Sequence, residues 1–167
     1  MNTILKITAM RQFKALSYFL FYLFAITIAY FYTINLDEAF YVIFGPLSFF
    51  LVFPTLFLHF EYIYRNKKEE YELCGDKIIR RKENNVSFYN KEDIKKVEIY
   101  VSPNYFSNDL YFTAYANYHF AKVYLVSGEI LYITSLLAPG GIDKAFSLYL
   151  KEIPYRRIKR LFATTLY

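Results

Sequence analysis

The chain has 167 residues, 56% hydrophobic and 22% aromatic with no tryptophan, and carries 20 basic against 15 acidic side chains and a single cysteine, Cys74. That length holds a membrane anchor and one small domain. A lone cysteine excludes an intrachain disulfide and a multi-cysteine metal site, and a mild excess of +5 does not favour nucleic acid over an anionic membrane as partner.

Residues 1–14 carry Lys6, Arg11 and Lys14 with no acid and read as a basic cytoplasmic N-terminus. Residues 15–34, ALSYFLFYLFAITIAYFYTI, form an apolar run whose only polar side chains are hydroxyls. Twenty helical residues span roughly 30 Å, the thickness of a bilayer's hydrocarbon core. The run is too long for a signal peptide and no small-x-small cleavage site follows it, so it reads as a first transmembrane helix.

Residues 35–39 form a short external turn containing Asp37 and Glu38, and residues 40–60, FYVIFGPLSFFLVFPTLFLHF, form a second membrane helix. Gly45, Pro46 and Pro54 interrupt it. Each proline deletes a backbone donor, so bends are expected that pack this helix on the first, with a hinge or a partner groove as the alternative. His59, near the end of the run, reads as an interfacial residue rather than a proton relay, because no second ionisable group lies deeper. Residues 61–68 are a basic juxtamembrane linker containing Arg65, Lys67 and Lys68. Basic residues before the first helix and after the second, with acids in the turn, place both termini in the cytoplasm of a two-pass inner-membrane protein.

Residues 69–155 change character. Short strand-like segments, EYELC, KIIRRK and VSFY, are separated by Gly75-Asp76 and Asn84-Asn85, and Ile94–Val101 puts Val97, Ile99 and Val101 on one face of a half-buried strand. Residues 102–109, SPNYFSND, read as a loop. Leu110–Ala116 and Tyr118–Val126 read as strands, and Ser127-Gly128-Glu129 as a hairpin turn into ILYITS. After Ala138-Pro139-Gly140-Gly141 the apolar period changes. Ile142, Ala145, Phe146, Tyr149, Leu150 and Ile153 share one face of a helix. The glycine pair turns the chain into that helix more readily than it cradles an anion.

This layout, short antiparallel strands closed by a C-terminal amphipathic helix, resembles a pleckstrin-homology (PH)-like barrel. The segments FYNKEDIKKVEIY and KVYLVSGEILYITSLLAPGGIDKAFSLYLKEI carry the resemblance. Joined to the helical hairpin, the chain is similar to membrane-anchored bacterial PH-like domain proteins: a membrane α-helical hairpin plus an α+β domain. The resemblance implies a binding module and names no ligand.

No glycine-rich phosphate loop, HExxH, paired CxxC or GxSxG occurs. His119 reads as structural, and the adjacent acids Glu69-Glu70 and Glu92-Asp93 would point apart, so neither an enzyme nor a cofactor is expected. Three clusters remain. Residues 156–167 read as a basic amphipathic tail in which Arg156, Arg157, Lys159 and Arg160 reach an anionic leaflet and Phe162 inserts. Arg65, Lys67 and Lys68 are the juxtamembrane lipid-contact candidates. Tyr105, Phe106, Tyr111 and Tyr115 bracket a loop suited to a protein contact.

The expected function is a non-enzymatic interaction module at the cytoplasmic membrane face. Its partners would be membrane lipids and another membrane or membrane-associated protein. Lipid sensing through the tail and an immunity-type role against a membrane-acting toxin are the alternatives.

Overall fold

The computed structural model describes residues 3–33, 38–103, 114–138, 141–149 and 153–166. Two four-stranded sheets carry the fold. The first has the order β1 (Thr3–Lys6), β2 (Glu69–Cys74), β3 (Lys77–Lys82), β4 (Asn85–Asn90), all antiparallel. The second runs β7 (Ile130–Thr134), β6 (Phe120–Leu125), β5 (Ile94–Val101), β8 (Tyr155–Lys159), with β8 parallel to β5. Helices α1 (Ala9–Thr33) and α2 (Glu38–Asn66) lie between β1 and β2 in the chain, and α3 (Ile142–Tyr149) follows β7.

The period-2 pattern explains the central core. Leu5, Tyr71, Leu73 and Ile78 of the first sheet are buried against Val97, Ile99, Val101, Ala121, Val123, Leu131 and Ile133 of the second. Ile142 and Phe146, one turn apart on α3, enter the same core with Ala145 packed against it; Ile153, expected on the same helical face, is buried beyond the end of α3, and Leu150 and the Tyr149 side chain lie outside the described residues. Gly128 (φ 90°) makes the β6–β7 hairpin turn, where its amide bonds the Leu125 carbonyl at 3.1 Å. Glu83 (φ 54°) takes the left-handed position in the β3–β4 turn, although Asn84 and Asn85 are the residue types that favour it.

Four expectations need correcting. The N-terminal segment is not merely a basic leader: Thr3–Lys6 pairs with β2, Leu5 opposite Tyr71 and Lys6 opposite Glu70. Leu5 is 2% exposed, buried in the core with Tyr71 and Leu73 of β2. Within the strand expected at Leu110–Ala116, residues 114–117 form a 3-10 turn, and residues 110–113 lie outside the described residues. The tail is not a free amphipathic segment from residue 156. Its first residues are β8, whose backbone completes the edge of β5 from Val97↔Tyr155 to Val101↔Lys159. For the same reason α3 does not end the domain.

Helix α1 is 25 residues long, roughly 37 Å. An 18-residue window within Ala9–Tyr32 has mean hydropathy 1.7 and is only 6% buried, which makes the helix long and apolar enough to cross a membrane. Among the described residues it is the one helix that meets this criterion. Helix α2 is continuous over 29 residues through both Pro46 and Pro54. A side chain at Gly45 would meet nothing within 4 Å, so the helices do not need a glycine there to approach each other.

Helix α2 ends on Asn66, which is 1% exposed and has every side-chain group engaged. Its amide donates to the Tyr132 carbonyl (2.7 Å) and to Glu69 (3.2 Å), and its carbonyl accepts from the Thr134 amide (3.1 Å). The outer edge of β7 is therefore capped by the foot of the helix, while Arg11 at the start of α1 donates to the Lys6 and Leu137 carbonyls. Replacing Leu5 by Ala should lower the stability of the full chain in detergent by about 2–4 kcal/mol, the usual penalty for truncating a buried leucine. Denaturant unfolding reads it, and a loss below about 0.5 kcal/mol would mean that β1 does not contribute to the core.

Candidate functional site

Alternation leaves the second sheet with an outer face that is not conventionally polar. Opposite Val97, Ile99 and Val101 stand Glu98 and Tyr100; opposite Ala121 and Val123 stand Phe120, Lys122 and Tyr124; between Leu131 and Ile133 stands Tyr132. Tyr100, Phe120 and Tyr118 are buried with Leu58 and Tyr62 of α2 and with Ala163, forming a second core outside the barrel. Tyr100 and Phe120 stack at 4.7 Å between ring centroids, and Phe120 and Tyr132 lie 6.4 Å apart, so three adjacent strands present one row of rings.

Three cations meet this row. The Arg65 guanidinium sits 4.2 Å over Tyr132, Lys122 lies 5.6 Å from Tyr132 and 5.2 Å from Tyr100, and Arg160 lies 5.3 Å from Tyr100. Cation–π contacts of this kind contribute about 0.5–2 kcal/mol each. Lys122 is only 7% exposed. Burial lowers its pKa, Glu98 opposes the shift, and the positive charges of Arg160 and Arg65 add to it. Burial pushes the Glu98 carboxyl up, but bonds from Lys96 (2.8 Å), Tyr124 (2.8 Å) and Tyr100 (3.0 Å) outweigh it, and its pKa is lowered.

The residues after β8 hold this arrangement against α2. The Tyr62 hydroxyl donates to the Ala163 carbonyl, Glu61 accepts from the Thr165 amide and hydroxyl, and Arg65 donates to the Thr165 hydroxyl and carbonyl at 3.2 Å each. Glu61 and Arg65, one turn apart, thus grip one threonine 100 residues further along the chain. His59 is 4% exposed, with its Nδ1 2.9 Å from the Tyr118 hydroxyl, so protein rather than the membrane interface surrounds it.

The predicted lipid-contact residues are scattered. Arg65 and Arg160 flank the aromatic row. Arg157 pairs with Asp143 of α3 (3.2 Å), and Lys68, at φ 61°, pairs with Glu83 (3.0 Å). Arg156, Lys159 and Lys67 are exposed, and Phe162, 41% exposed, packs on Tyr115 at 5.0 Å. Of the predicted partner-contact aromatics only Tyr115 is described, half-buried; Tyr105, Phe106 and Tyr111 lie outside the described residues. Lys122, Tyr100 and Tyr132 were not singled out from the sequence. The available signal was aromatic residues at outward-facing positions of IKKVEIYV and FAKVYL (Tyr100, Phe120 and Tyr124), which mark a face that something covers.

A family model described as PH domain matches residues 4–140, from within β1 to beyond β7. The chain belongs to the PH-domain family. The matched span includes both long helices, which in this PH domain lie between the first two strands. No curated protein and no solved structure matches the chain.

Two further polar groups stabilise the PH domain. Glu69, 5% exposed, accepts from Arg80 (2.7 Å), Tyr71 (2.8 Å) and Lys82 (3.1 Å); burial raises its pKa, and these donors more than reverse the shift. Beside it, a cleft of about 370 Å³ sets Lys6, Lys68 and Arg81 against Glu69, Glu70 and Glu83, an even balance of charge. His119 Nδ1 meets the Asn117 carbonyl at 2.9 Å, and its Nε2 accepts from the Ile142 amide at the start of α3 (3.4 Å), which requires the neutral ring.

Burial holds the His119 pKa down at about 4, against 6.5 for an unperturbed ring. A depressed histidine contributes stability that is complete above about pH 6.5 and is lost as the pH falls toward 4. Between pH 7.5 and pH 5 the protein should lose about 2 kcal/mol more than its His119→Gln variant does. Parallel unfolding curves at the two pH values check it; equal losses would mean that the ring is not held neutral.

Proposed function

We propose that the chain is a non-enzymatic, two-pass membrane protein of the bacterial inner membrane. In this reading its cytoplasmic PH domain binds a membrane or membrane-associated protein at the bilayer face. The observation that carries the reading is the pairing of β1 with β2. The chain leaves the domain at Lys6 and re-enters it at Glu69, on adjacent antiparallel strands, so α1 and α2 must run out and back from one edge.

Outward-facing aromatics on both helices favour a lipid environment. Phe13, Phe21, Phe24, Phe31 and Tyr32 on α1 are all more than 60% exposed, and Phe49, Phe53 and Phe57 form a stacked ladder on α2. So extensive an apolar surface is unfavourable in water by about 25 cal/mol per Å². Lys6, Arg11 and Lys14 at one foot of the hairpin, with Arg65, Lys67 and Lys68 at the other, favour the cytoplasmic side for the domain.

The anchor supplies location, so the domain's surfaces are available for recognition. Exposed Val86 (51%) and Phe88 (61%) on β4 are the apolar side chains of an outer strand, and Tyr115 with Phe162 marks a second aromatic contact.

Two measurements test the proposal. The full chain should stay with membranes through alkaline carbonate extraction, and in inverted vesicles protease should remove the domain from the outside; release by carbonate or full protection would overturn the topology. Cross-linking in native membranes should enrich a specific membrane protein over a hairpin-only control, and recovery of only the control's background would overturn the interaction role.

A further inference from the structure

The second sheet ends on a strand with an open side. Among the described residues β8 pairs with β5 alone, and no strand lies along its other edge. Tyr155, Arg156, Arg157 and Lys159 are all exposed, so solvent reaches most of that edge. The edge also has a step in it. β8 begins opposite Val97, after Pro154, which has no amide to donate, so Ile94–Lys96 of β5 run on past it with no strand on that side among the described residues. A cleft of about 280 Å³ opens at the step, between Lys96, Val97 and Glu98 of β5 and Pro154, Tyr155 and Arg156.

The charge along this edge is one-sided. Two of its cations are matched, Lys96 by Glu98 (2.8 Å) and Arg157 by Asp143 (3.2 Å). Lys95, Arg156 and Lys159 are exposed and have no side-chain bond or ion pair among the described residues. The register sets Arg156 beside Glu98 on the outer face of the sheet and Lys159 beside Val101 on the opposite face, so these two cations flank the open backbone from both sides.

We propose that the open edge of β8 receives an extended acidic segment of a partner protein, which joins the second sheet as a further strand. Main-chain hydrogen bonds along the edge hold the segment, and its alternate side chains meet Arg156 on one face and Lys159 on the other. The cleft at the step takes a side chain from the end of the segment. The same charges select the occupant: an edge lined with cations repels a second copy of itself and any basic strand, and admits an acidic one. A lipid leaflet answers the charge, but it offers no row of backbone donors and acceptors to match the edge. The proposal deepens the interaction role proposed above by giving the partner's chemistry, and it rests on that role.

The full chain in a neutral detergent is titrated with a fluorescent peptide of about ten residues that alternates glutamate with valine and threonine, a strand-forming pattern. Two versions accompany it. One carries glutamine for glutamate, and one is N-methylated at every residue, which keeps the charge and removes the amide donors that strand pairing needs. Anisotropy should report binding of the first peptide, weakened about tenfold or more for either other version and by the pair Arg156→Glu/Lys159→Glu. Lys67→Gln should stay within about twofold. No binding of the first peptide, equal binding of either other version, or binding that the charge-reversed pair leaves unchanged overturns the proposal.

A leaflet as occupant is tested beside it. Phosphatidylglycerol retained by the full chain on release from mixed nanodiscs, counted by native mass spectrometry, should be the same with and without Arg156→Glu/Lys159→Glu. Lipid lost by that pair, with no peptide bound by the unaltered chain, assigns the edge to the leaflet and overturns a protein occupant. The peptide comparisons use the unaltered chain, so they decide the matter should the charge-reversed pair fail to fold. They also need no native partner: peptide binding can fail while cross-linking recovers a partner held elsewhere, and can succeed where cross-linking finds none.

Discussion

One strand pairing organises the molecule. Because Thr3–Lys6 lies beside Glu69–Cys74, more than 60 residues are looped out from a single edge of a sheet and must return to it. Closing a loop of that length is costly in entropy, and the cost rises only slowly with length, so a stiff helical hairpin is an economical way to span it. The pairing also fixes the feet of both helices against the domain. Arg11 reaches the Leu137 carbonyl and Asn66 reaches β7, so neither helix joins the PH domain through a free linker.

The second consequence is a core outside the barrel. A sheet with one buried face normally offers water a polar surface on the other. Here the lower part of α2 covers that other face: Leu58 and Tyr62 pack with Tyr100, Tyr118 and Phe120, and the chain after β8 returns to close the gap with Ala163. The tyrosine hydroxyls need partners when buried. Tyr62 finds the Ala163 carbonyl and Tyr118 finds His59, which explains why the layer is rich in tyrosine as well as phenylalanine. Helix, sheet and tail thus form one packed unit, and Arg65 and Arg160 reach the same aromatic row from positions 95 residues apart in the chain.

Much of the domain was readable from local pattern. Period-2 alternation placed β5 and β7, the Ser127-Gly128-Glu129 turn sits where a left-handed glycine is needed, and steps of three and four predicted the buried face of α3. What could not be read were the partnerships that depend on distant sequence. TILK is too short to declare itself a strand without β2 beside it, and YRRIK reads as a cationic run until β5 offers it an edge. Charge density misled in the same way: Arg157 and Lys68 are engaged by Asp143 and Glu83, while the cation at the centre of the aromatic row, Lys122, belongs to no cationic run, lying between Ala121 and Val123 in the sequence.

The sequence by itself determined that two long apolar runs precede a small α+β domain, and that basic residues flank them, because hydropathy and charge are sums over local composition. Only the tertiary structure decided that the runs are inserted into the domain rather than attached to its front, and that Arg65, Lys122 and Arg160 share one surface. The β1–β2 pairing and the Asn66–Thr134 bond join residues more than 60 positions apart, and no local pattern carries that information.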